Sequence, residues 1–227
     1  SAPEAHLSGF IDRYLAALAA RDPSALPLAR NARFTENTIE LPLGQGLWGT
    51  FTGLGGYDIR AVDPAGGQAC LFASITENGI PAILALRLKI DGDRIAEIET
   101  LVARGRAGAD SMGVADPVFM EEVPPGRRTT ASDMIALTDR YFDGVEASDP
   151  FDLRFDPACI RRENGSQSTS IPERMDDYVE GAFHGYALDV RSQFATGMWS
   201  FIGSVSPRRY IVANERTGVL IGFFSFQ

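Results

Sequence analysis

The first apolar pattern in the chain has the spacing of a helix. Apolar side chains recur at i, i+3, i+4 and i+7, and these positions are Ile11, Tyr14, Leu15 and Leu18. Asp22-Pro23 follows them, and the residue before a proline is disfavoured in the helical region. The pattern therefore predicts a helix over residues 10–20 that buries one face and ends before the proline.

This helical pattern and the residues after it occur twice. Residues 10–37 align without a gap with residues 137–164, at an offset of 127 positions. The identical pairs are Asp12/Asp139, Arg13/Arg140, Tyr14/Tyr141, Ala20/Ala147, Asp22/Asp149, Pro23/Pro150, Leu26/Leu153, Glu36/Glu163 and Asn37/Asn164. Solenoid repeats have periods of about 20–50 residues, so this spacing indicates a domain-sized unit used twice.

The length of the chain and its composition indicate the same division. The chain has 227 residues, whereas a typical domain has about 100–150. Glycine and proline are frequent between the two halves of the repeat. We therefore predict a first domain at residues 1–107, a linker at residues 108–129 and a second domain at residues 130–227.

The rest of the first half has the alternation of β-strands. We predict three antiparallel strands at residues 69–77, 81–91 and 94–104. Asp91-Gly92-Asp93 lies between the last two and is a strong hairpin signal. The hairpin predicts that these two strands are neighbours in one sheet.

The register of this hairpin follows from its alternating pattern. Matching the apolar faces of the two strands places Arg87 and Lys89 opposite Glu97 and Glu99. These four side chains are expected to form a cross-strand charge ladder on the face away from the core. We therefore interpret them as structural residues.

The second half is expected to follow the same plan. Its predicted elements are a helix at residues 137–147, an extra helix at residues 172–183 and strands near residues 186–194, 197–204, 208–214 and 218–226. A helix, a short strand and a meander of antiparallel strands are typical of the α+β class, with a curved sheet wrapped on a helix.

Composition and charge limit the partners of the protein. With 44% hydrophobic and 22% charged residues, this is an ordinary globular chain. A net charge of −9 without a basic cluster argues against a nucleic-acid partner. No apolar run approaches the about 18 residues of a membrane span, so we expect no membrane association. A cytoplasmic location is favoured over a secreted or periplasmic one.

The sequence resembles a known family over nearly its whole length. The segments that carry the resemblance are FTEN, LPLGQGLWGT, LALRLKIDGDRIAEIETLVAR and FDPACIRRENGSQST. They are similar to tandem NTF2-like (SnoaL-like) proteins of fungi and bacteria. The resemblance implies two cone-shaped domains in tandem, arranged as a pseudo-dimer, because single domains of this kind commonly dimerise through the outer face of the sheet. A further homo-oligomer is possible.

The resemblance implies a small-molecule function but no particular reaction. NTF2-like cones host isomerases, dehydratases, lyases, cyclases and binding modules. We expect a cofactor-independent lyase or isomerase that acts on a hydrophobic aromatic molecule, with release of formaldehyde from a lignin-derived diarylpropane diol as the specific hypothesis. The alternatives are a non-catalytic binding module, a ketosteroid-type isomerase or a polyketide cyclase.

Acid–base chemistry of this kind needs ionisable groups inside an apolar cone. Glu36 shares a strand face with Phe34, so it is a candidate general base; the alternative is a structural hydrogen bond, because Glu36 is retained in both halves. His184 is the second candidate, because histidine titrates near neutral pH, and a surface role is its alternative. Tyr14 is a candidate proton donor or a core residue.

Six further residues are candidates for substrate binding. They are Asn37, Trp48, Tyr141, Glu163, Asn164 and Trp199. Glycines beside the two tryptophans permit close approach of a flat ligand, although packing is equally compatible with the sequence. The two histidines lack metal-binding spacing, and the glycine-rich segment does not follow a nucleotide-binding pattern, so we expect neither a metal nor a cofactor.

Overall fold

The computed structural model describes residues 2–105, 108–174 and 185–227. Its helices are α1 (Ala2–Ala20), α2 (Leu47–Thr50), α3 (Ala131–Ala147) and α4 (Val190–Phe194). Its strands are β1 (Leu28–Glu36), β2 (Ile39–Glu40), β3 (Phe51–Asp63), β4 (Gln68–Glu77), β5 (Ile80–Asp91), β6 (Arg94–Ala103), β7 (Arg162–Glu163), β8 (Ser166–Gln167), β9 (Val205–Asn214) and β10 (Val219–Phe226). The chain is therefore of the α+β class, as the sequence predicts.

The described residues divide into two compact units. The first consists of Ser1–Arg128 and Ile211–Ile221, and the second consists of Thr129–Tyr210 and Gly222–Gln227. The turn that joins β9 to β10 thus belongs to the first unit, together with the strand residues on either side of it. No helix in the described part of the chain is long and apolar enough to cross a membrane.

The first unit is a six-stranded curved sheet with α1 packed on one face. The strand order is β2-β1-β6-β5-β4-β3, and all neighbours are antiparallel except β1 and β6. Register shifts within β3 mark bulges, which bend a strand. The predicted apolar stripe of α1 is buried in the core; Ile11, Tyr14 and Leu18 are each 0% exposed.

The predicted hairpin register is confirmed. Arg87 pairs with Glu99, and Lys89 pairs with Glu97. The guanidinium of Arg87 donates to Glu97 at 2.7 Å and to Glu99 at 3.2 Å. Arg87 is itself buried, so the charge ladder lies partly under other chain segments.

Two apolar clusters cover the outer face of this sheet, opposite α1. In the first, Tyr57 and Ile83 pack with Ala109 and Met112. The members of the second include Ala61, Cys70, Val212 and Val219. The outer face of the first unit is therefore covered by segments of the same chain.

The described residues of the second unit retain the local repeat but do not form a sheet like that of the first unit. Its helix α3 ends at Ala147 as α1 ends at Ala20, at equivalent repeat positions. Its short β7–β8 hairpin matches β1–β2, with Asn37 and Asn164 both at φ 49°. The described residues of this half form only two-stranded sheets, so the expectation of two like cones in a pseudo-dimer is not confirmed.

Two predicted strands of the second half are wrong. Residues 190–194 are helical, and residues 197–201 form turns. The side chain of Asp189 accepts a hydrogen bond from the N–H of Ser192 and so caps a helix that starts at Val190. The positive φ of Gly197 follows the end of this helix. Capping and turn chemistry thus override the apolar pattern.

Other predicted elements of this half have mixed outcomes. The strands near 208–214 and 218–226 are present as β9 and β10. Of the extra helix at 172–183, Pro172–Arg174 form a 3-10 turn, and residues 175–183 lie outside the described residues.

Candidate functional site

Two candidate residues of the first unit meet in its core. Tyr14 on α1 and Trp48 on α2 pack edge to face, with ring centroids 5.4 Å apart. The hydroxyl of Tyr14 and the Nε1 of Trp48 are both buried, and neither makes a hydrogen bond of good geometry with the described residues, although Trp48 lies close enough to lower the pKa of Tyr14. Buried polar atoms are usually satisfied, so these two groups form a polar spot within the apolar core.

The phenol of Tyr14 is held in its neutral form. Burial raises its pKa, and the negative charge of Glu36 acts in the same direction, whereas the Trp48 side chain opposes them. A neutral phenol at physiological pH donates a hydrogen bond and does not act as a base. The position therefore suits stabilisation of a developing oxyanion.

Glu36 lies beside this pair and is already hydrogen-bonded. Its Oε1 accepts the N–H of Leu47 at 2.7 Å, at the start of α2. Its Oε2 lies 3.3 Å from Nη2 of Arg104. Glu36 is 8% exposed. One of its carboxylate oxygens binds the backbone of α2, and the other lies beside the cation that follows β6.

A glycine permits this arrangement. Gly46 has φ +61°, and a Cβ at that position would lie 2.6 Å from Oε2 of Glu36. Within the glycine-rich segment before Trp48, glycine is therefore required at position 46, because a carboxylate approaches closely there and the backbone is left-handed. It gives no evidence of a phosphate-binding loop.

Arg104 joins Glu36 to a second buried carboxylate. It donates to Glu77 through Nε at 2.7 Å and through Nη2 at 2.9 Å, and the hydroxyl of Thr50 donates to Glu77 at 2.6 Å. Burial alone would raise the pKa of Glu77, but the hydrogen bonds from Arg104 and Thr50 outweigh it and lower that pKa. We name Tyr14, Glu36, Trp48, Glu77 and Arg104 the Glu36 cluster.

Asn37, a predicted substrate-binding residue, is occupied by the backbone of β6. Its Oδ1 accepts the N–H of Val102 at 2.8 Å, and its Nδ2 donates to the carbonyl of Val102 at 3.2 Å. The amide therefore extends the pairing of β1 and β6 by one side chain. A ligand would have to compete with both bonds.

An apolar cleft of about 420 Å³ opens elsewhere in the first unit. It lies between β1, β6 and the segment after β2, and we name it the β1–β6 cleft. Its lining residues are Leu28, Ala32, Arg33, Phe34, Glu40, Leu41, Pro42, Leu43 and Ile98. Phe34 and Ile98 also belong to the core against which α1 packs, so the cleft reaches the inner face of the sheet. No member of the Glu36 cluster lines it.

A second, more polar cleft of about 300 Å³ lies beside α1. Its lining includes Glu4, Arg60 and Arg216. Arg60 is paired with Asp12 at 2.6 Å, and Arg216 is paired with Glu4 at 2.7 Å. These charges are mutually neutralised within the first unit.

In the second unit, three predicted substrate-binding residues gather around an arginine that the sequence analysis did not single out. Arg161 donates from Nε to Glu163 at 3.1 Å and from Nη1 to the hydroxyl of Tyr141 at 3.4 Å. Its guanidinium carbon lies 4.5 Å from the ring centroid of Trp199. Burial raises the pKa of Tyr141, and Arg161 opposes that shift.

The repeat contained a signal for this arginine. Arg161 occupies the repeat position of Phe34, which is 3% exposed in the core of the first unit. A cation at a position that is apolar in the other copy indicates a changed environment in the second half.

The remaining candidates are not brought into either cluster. Asn164 is exposed at the tip of the β7–β8 turn, and the described residues give its side chain no role beyond that turn. His184, the sharper catalytic candidate, lies outside the described residues. Within the described ranges, no group of three or more His, Cys, Asp or Glu residues is placed to hold a metal ion.

Known proteins and a family model are similar to parts of the chain. A family model described as a domain of unknown function (DUF8021) matches residues 127–227. No curated protein matches the chain.

Solved structures with NTF2-like or ketosteroid isomerase-like folds are similar to part of it. An NTF2-like protein of unknown function from Cytophaga hutchinsonii is 13% identical, with 42% of this chain and 88% of that chain covered and a TM-score of 0.35. A steroid delta-isomerase from Pseudomonas aeruginosa is 22% identical, with 47% and 85% covered and a TM-score of 0.35. A hypothetical protein with a ketosteroid isomerase-like fold from Catenulispora acidiphila is 12% identical, with 44% and 88% covered and a TM-score of 0.31. Scores at this level do not identify an activity.

Proposed function

We propose that the first unit binds a hydrophobic small molecule in the β1–β6 cleft. The apolar lining of that cleft carries the proposal. Leu28, Phe34, Leu41, Leu43 and Ile98 present aliphatic and aromatic surface on its walls. Ligand sites are typically clefts of about 300–1,000 Å³ with mostly apolar walls and a few polar groups.

The ionisable residues of the cleft favour binding over turnover. Arg33 and Glu40 pair with each other at 3.0 Å, and their side chains are 61% and 64% exposed. A general acid or base is normally desolvated and aimed at the substrate. An exposed pair of this kind suits a polar rim that orients a ligand by hydrogen bonds. The proposed ligand is therefore neutral, apolar and of one or two rings.

A substitution that fills the cleft tests this proposal. Ala32 is a half-buried lining residue, and Ala32→Trp places an indole where the ligand would lie. The control is Ala16→Trp, because Ala16 is exposed on α1. We expect 4-phenylphenol to bind the wild type and Ala16→Trp with the same affinity and to bind Ala32→Trp at least about tenfold more weakly by titration calorimetry. Equal affinity for all three proteins would refute the site.

A second candidate function is cofactor-independent acid–base catalysis in the Glu36 cluster. The observation that favours it is the unpartnered pair of Tyr14 Oη and Trp48 Nε1 beside the carboxylate of Glu36. A substrate oxygen that reached the Tyr14 hydroxyl would be stabilised as negative charge develops. Within this candidate, the reactions to examine are isomerisation of a steroid-type ketone, cyclisation of a polyketide, and lysis of a lignin-derived diarylpropane diol with release of formaldehyde.

The contacts of Glu36 weigh against this second candidate. Both of its carboxylate oxygens are already engaged, by the N–H of Leu47 at 2.7 Å and by Arg104 at 3.3 Å, so neither is free to approach a substrate proton. Should chemistry occur here, Glu36→Gln and Tyr14→Phe would each lower turnover by about 10²–10⁴-fold without unfolding the protein. If a substrate of any of these three classes is turned over, and both variants lose activity to this extent, catalysis in the Glu36 cluster would replace the binding proposal. Unchanged turnover in both variants would remove the Glu36 cluster from the mechanism.

A further inference from the structure

The guanidinium of Arg161 is held in a rigid, nearly enclosed setting. Its side chain is 15% exposed. Nη2 donates to the Oε1 of Gln193, a residue that is 0% exposed. The amide of Gln193 is fixed in turn, because its Nε2 donates to the carbonyls of Ser168 at 2.6 Å and Gly185 at 2.8 Å. The amide oxygen of Gln193 is thereby directed at the arginine.

The two aromatic residues that contact this cation, Trp199 and Tyr141, belong to a larger aromatic cluster. The ring centroid of Trp199 lies 5.1 Å from that of Phe194, and the centroid of Tyr141 lies 5.2 Å from the same ring. Phe155 completes the group at 6.0 Å from Phe194. Tyr141, Phe155 and Trp199 are only partly buried. Part of this aromatic surface is therefore accessible beside a guanidinium.

The anion that pairs with Arg161 is the most exposed part of the arrangement. Among the residues that the structure describes, Glu163 is the carboxylate paired with it, and the Glu163 side chain is 59% exposed. Such an exposed partner contributes little to stability. A largely desolvated arginine, in contrast, strongly favours an anionic partner in planar contact. The two ends of this ion pair are thus unequal: the Arg161 side chain is 15% exposed, whereas the Glu163 side chain is 59% exposed and otherwise accepts a hydrogen bond from the Ser168 hydroxyl at 3.3 Å.

We propose that Arg161 is the anchor of a second binding site, which takes an aromatic carboxylate. The ligand carboxylate replaces that of Glu163 on the guanidinium, and its ring packs against Trp199 and Tyr141. Because its side chain is 59% exposed, Glu163 can move outward and release the guanidinium. In the unliganded protein Glu163 acts as an internal competitor. This site is independent of the β1–β6 cleft.

The competition gives two variants with opposite effects. Glu163→Gln removes the internal carboxylate, and we expect benzoate to bind this variant about fivefold more tightly than the wild type. Arg161→Gln removes the anchor and is expected to abolish benzoate binding. Arg161→Lys retains the charge but not the planar fork, and we expect intermediate affinity.

The controls separate this site from general effects of charge. Asp152 forms an exposed ion pair with Arg140 in the same unit, with side chains 85% and 42% exposed. Asp152→Asn therefore removes one negative charge at another ion pair and should leave benzoate affinity unchanged. Benzamide, which has the ring without the charge, and acetate, which has the charge without the ring, should each bind at least about tenfold more weakly than benzoate.

Titration calorimetry decides between the outcomes. Tighter binding to Glu163→Gln alone supports the proposal even if Arg161→Gln fails to fold, because a purely structural ion pair predicts no gain of affinity. Benzoate that binds Glu163→Gln no better than the wild type would overturn it. Equal binding of benzamide or acetate would overturn the assignment to an aromatic carboxylate.

Discussion

At the scale of single residues, the Glu36 cluster shows how one glycine allows a carboxylate to be buried. Glu36 accepts the first N–H of α2 from Leu47 at 2.7 Å. It reaches that N–H because Gly46 has no side chain and has a positive φ. A residue that looks catalytic in the sequence is therefore fully engaged in joining β1 to α2 and to Arg104.

Replacement of Gly46 tests this close approach. Gly46→Ala would bring a methyl group against the Glu36 carboxylate, whereas at Gly79, with φ +77°, a Cβ would meet nothing within 4 Å. The two variants share the cost of a positive φ, and only the first adds a steric clash. We expect Gly46→Ala to lower the free energy of unfolding by about 1–3 kcal/mol more than Gly79→Ala in urea titrations. Equal losses would show that Glu36 moves aside freely.

Glu77 predicts a dependence of stability on pH. Its folded pKa lies below the usual value of 4.5 because the hydrogen bonds from Arg104 and Thr50 outweigh its burial. The stabilisation is therefore complete above pH 4.5 and is lost as the pH falls through the lower folded pKa. We expect the stability difference between the wild type and Glu77→Gln to be constant near neutrality and to shrink below that pH. The measurement is urea unfolding of both proteins across the acidic range; a difference that grows on acidification would contradict the sign.

At the scale of elements, the repeat preserves a turn while the surroundings of that turn differ. Asn37 and Asn164 both adopt φ 49° at the tip of a two-residue hairpin. Asn37 also pairs through its amide with both backbone groups of Val102 on β6. Asn164 is exposed at its turn. Asn164 thus contributes only turn geometry, whereas Asn37 also contributes to the pairing of β1 with β6.

The two asparagines form a matched pair for mutagenesis. Glycine accepts a positive φ, so Asn→Gly removes the amide and keeps the turn. We expect Asn37→Gly to lower the free energy of unfolding by about 1–2 kcal/mol, because two hydrogen bonds to Val102 are lost. Asn164→Gly should change it by less than about 0.5 kcal/mol. Thermal melting of both variants checks this; equal effects would mean that the Val102 bonds contribute nothing.

The elements that the sequence predicted well are those with long, regular patterns. The stripe of α1 and the register of the β5–β6 hairpin follow from periodicities of 3.6 and 2, which burial enforces directly. The strands expected at 186–194 and 197–204 failed, because short apolar runs are ambiguous and local capping by Asp189 selected a helix. The repeat allowed a structural hydrogen bond at Glu36, but its partners Leu47 and Arg104 could not be read from the sequence, because they are distant along the chain.

At the scale of the whole molecule, the two halves of the repeat have become unlike. The first unit has a six-stranded sheet, whereas the described residues of the second half form only two-stranded sheets. The outer face of the first sheet is covered by Ala109 and Met112 in one cluster and by Val212 and Val219 in another. Segments of the same chain therefore pack on the outer face of this sheet.

The reactivity of the Cys70 thiol tests whether the outer face of the first sheet is covered. It is 1% exposed, whereas Cys159 is partly buried, and burial raises the pKa of the Cys70 thiol to about 12. We expect iodoacetamide to modify Cys159 and to leave Cys70 unmodified in the folded protein. Val212→Ala should make Cys70 reactive, because Val212 packs in the same cluster.

The matched control for this experiment is Val114→Ala, since Val114 is 81% exposed. It should leave Cys70 protected. Peptide mass spectrometry after timed labelling gives both rates. Modification of Cys70 in the wild type as fast as that of Cys159 would show that the outer face is open.

The most direct test of the central claim is a crystal structure of the protein with bound 4-phenylphenol. We predict ligand density in the β1–β6 cleft, in contact with Phe34, Leu41 and Ile98, and no ligand density in crystals of Ala32→Trp grown under the same conditions. Ligand density against Tyr14 and Trp48, with the β1–β6 cleft empty, would contradict it and would move the functional site to the Glu36 cluster.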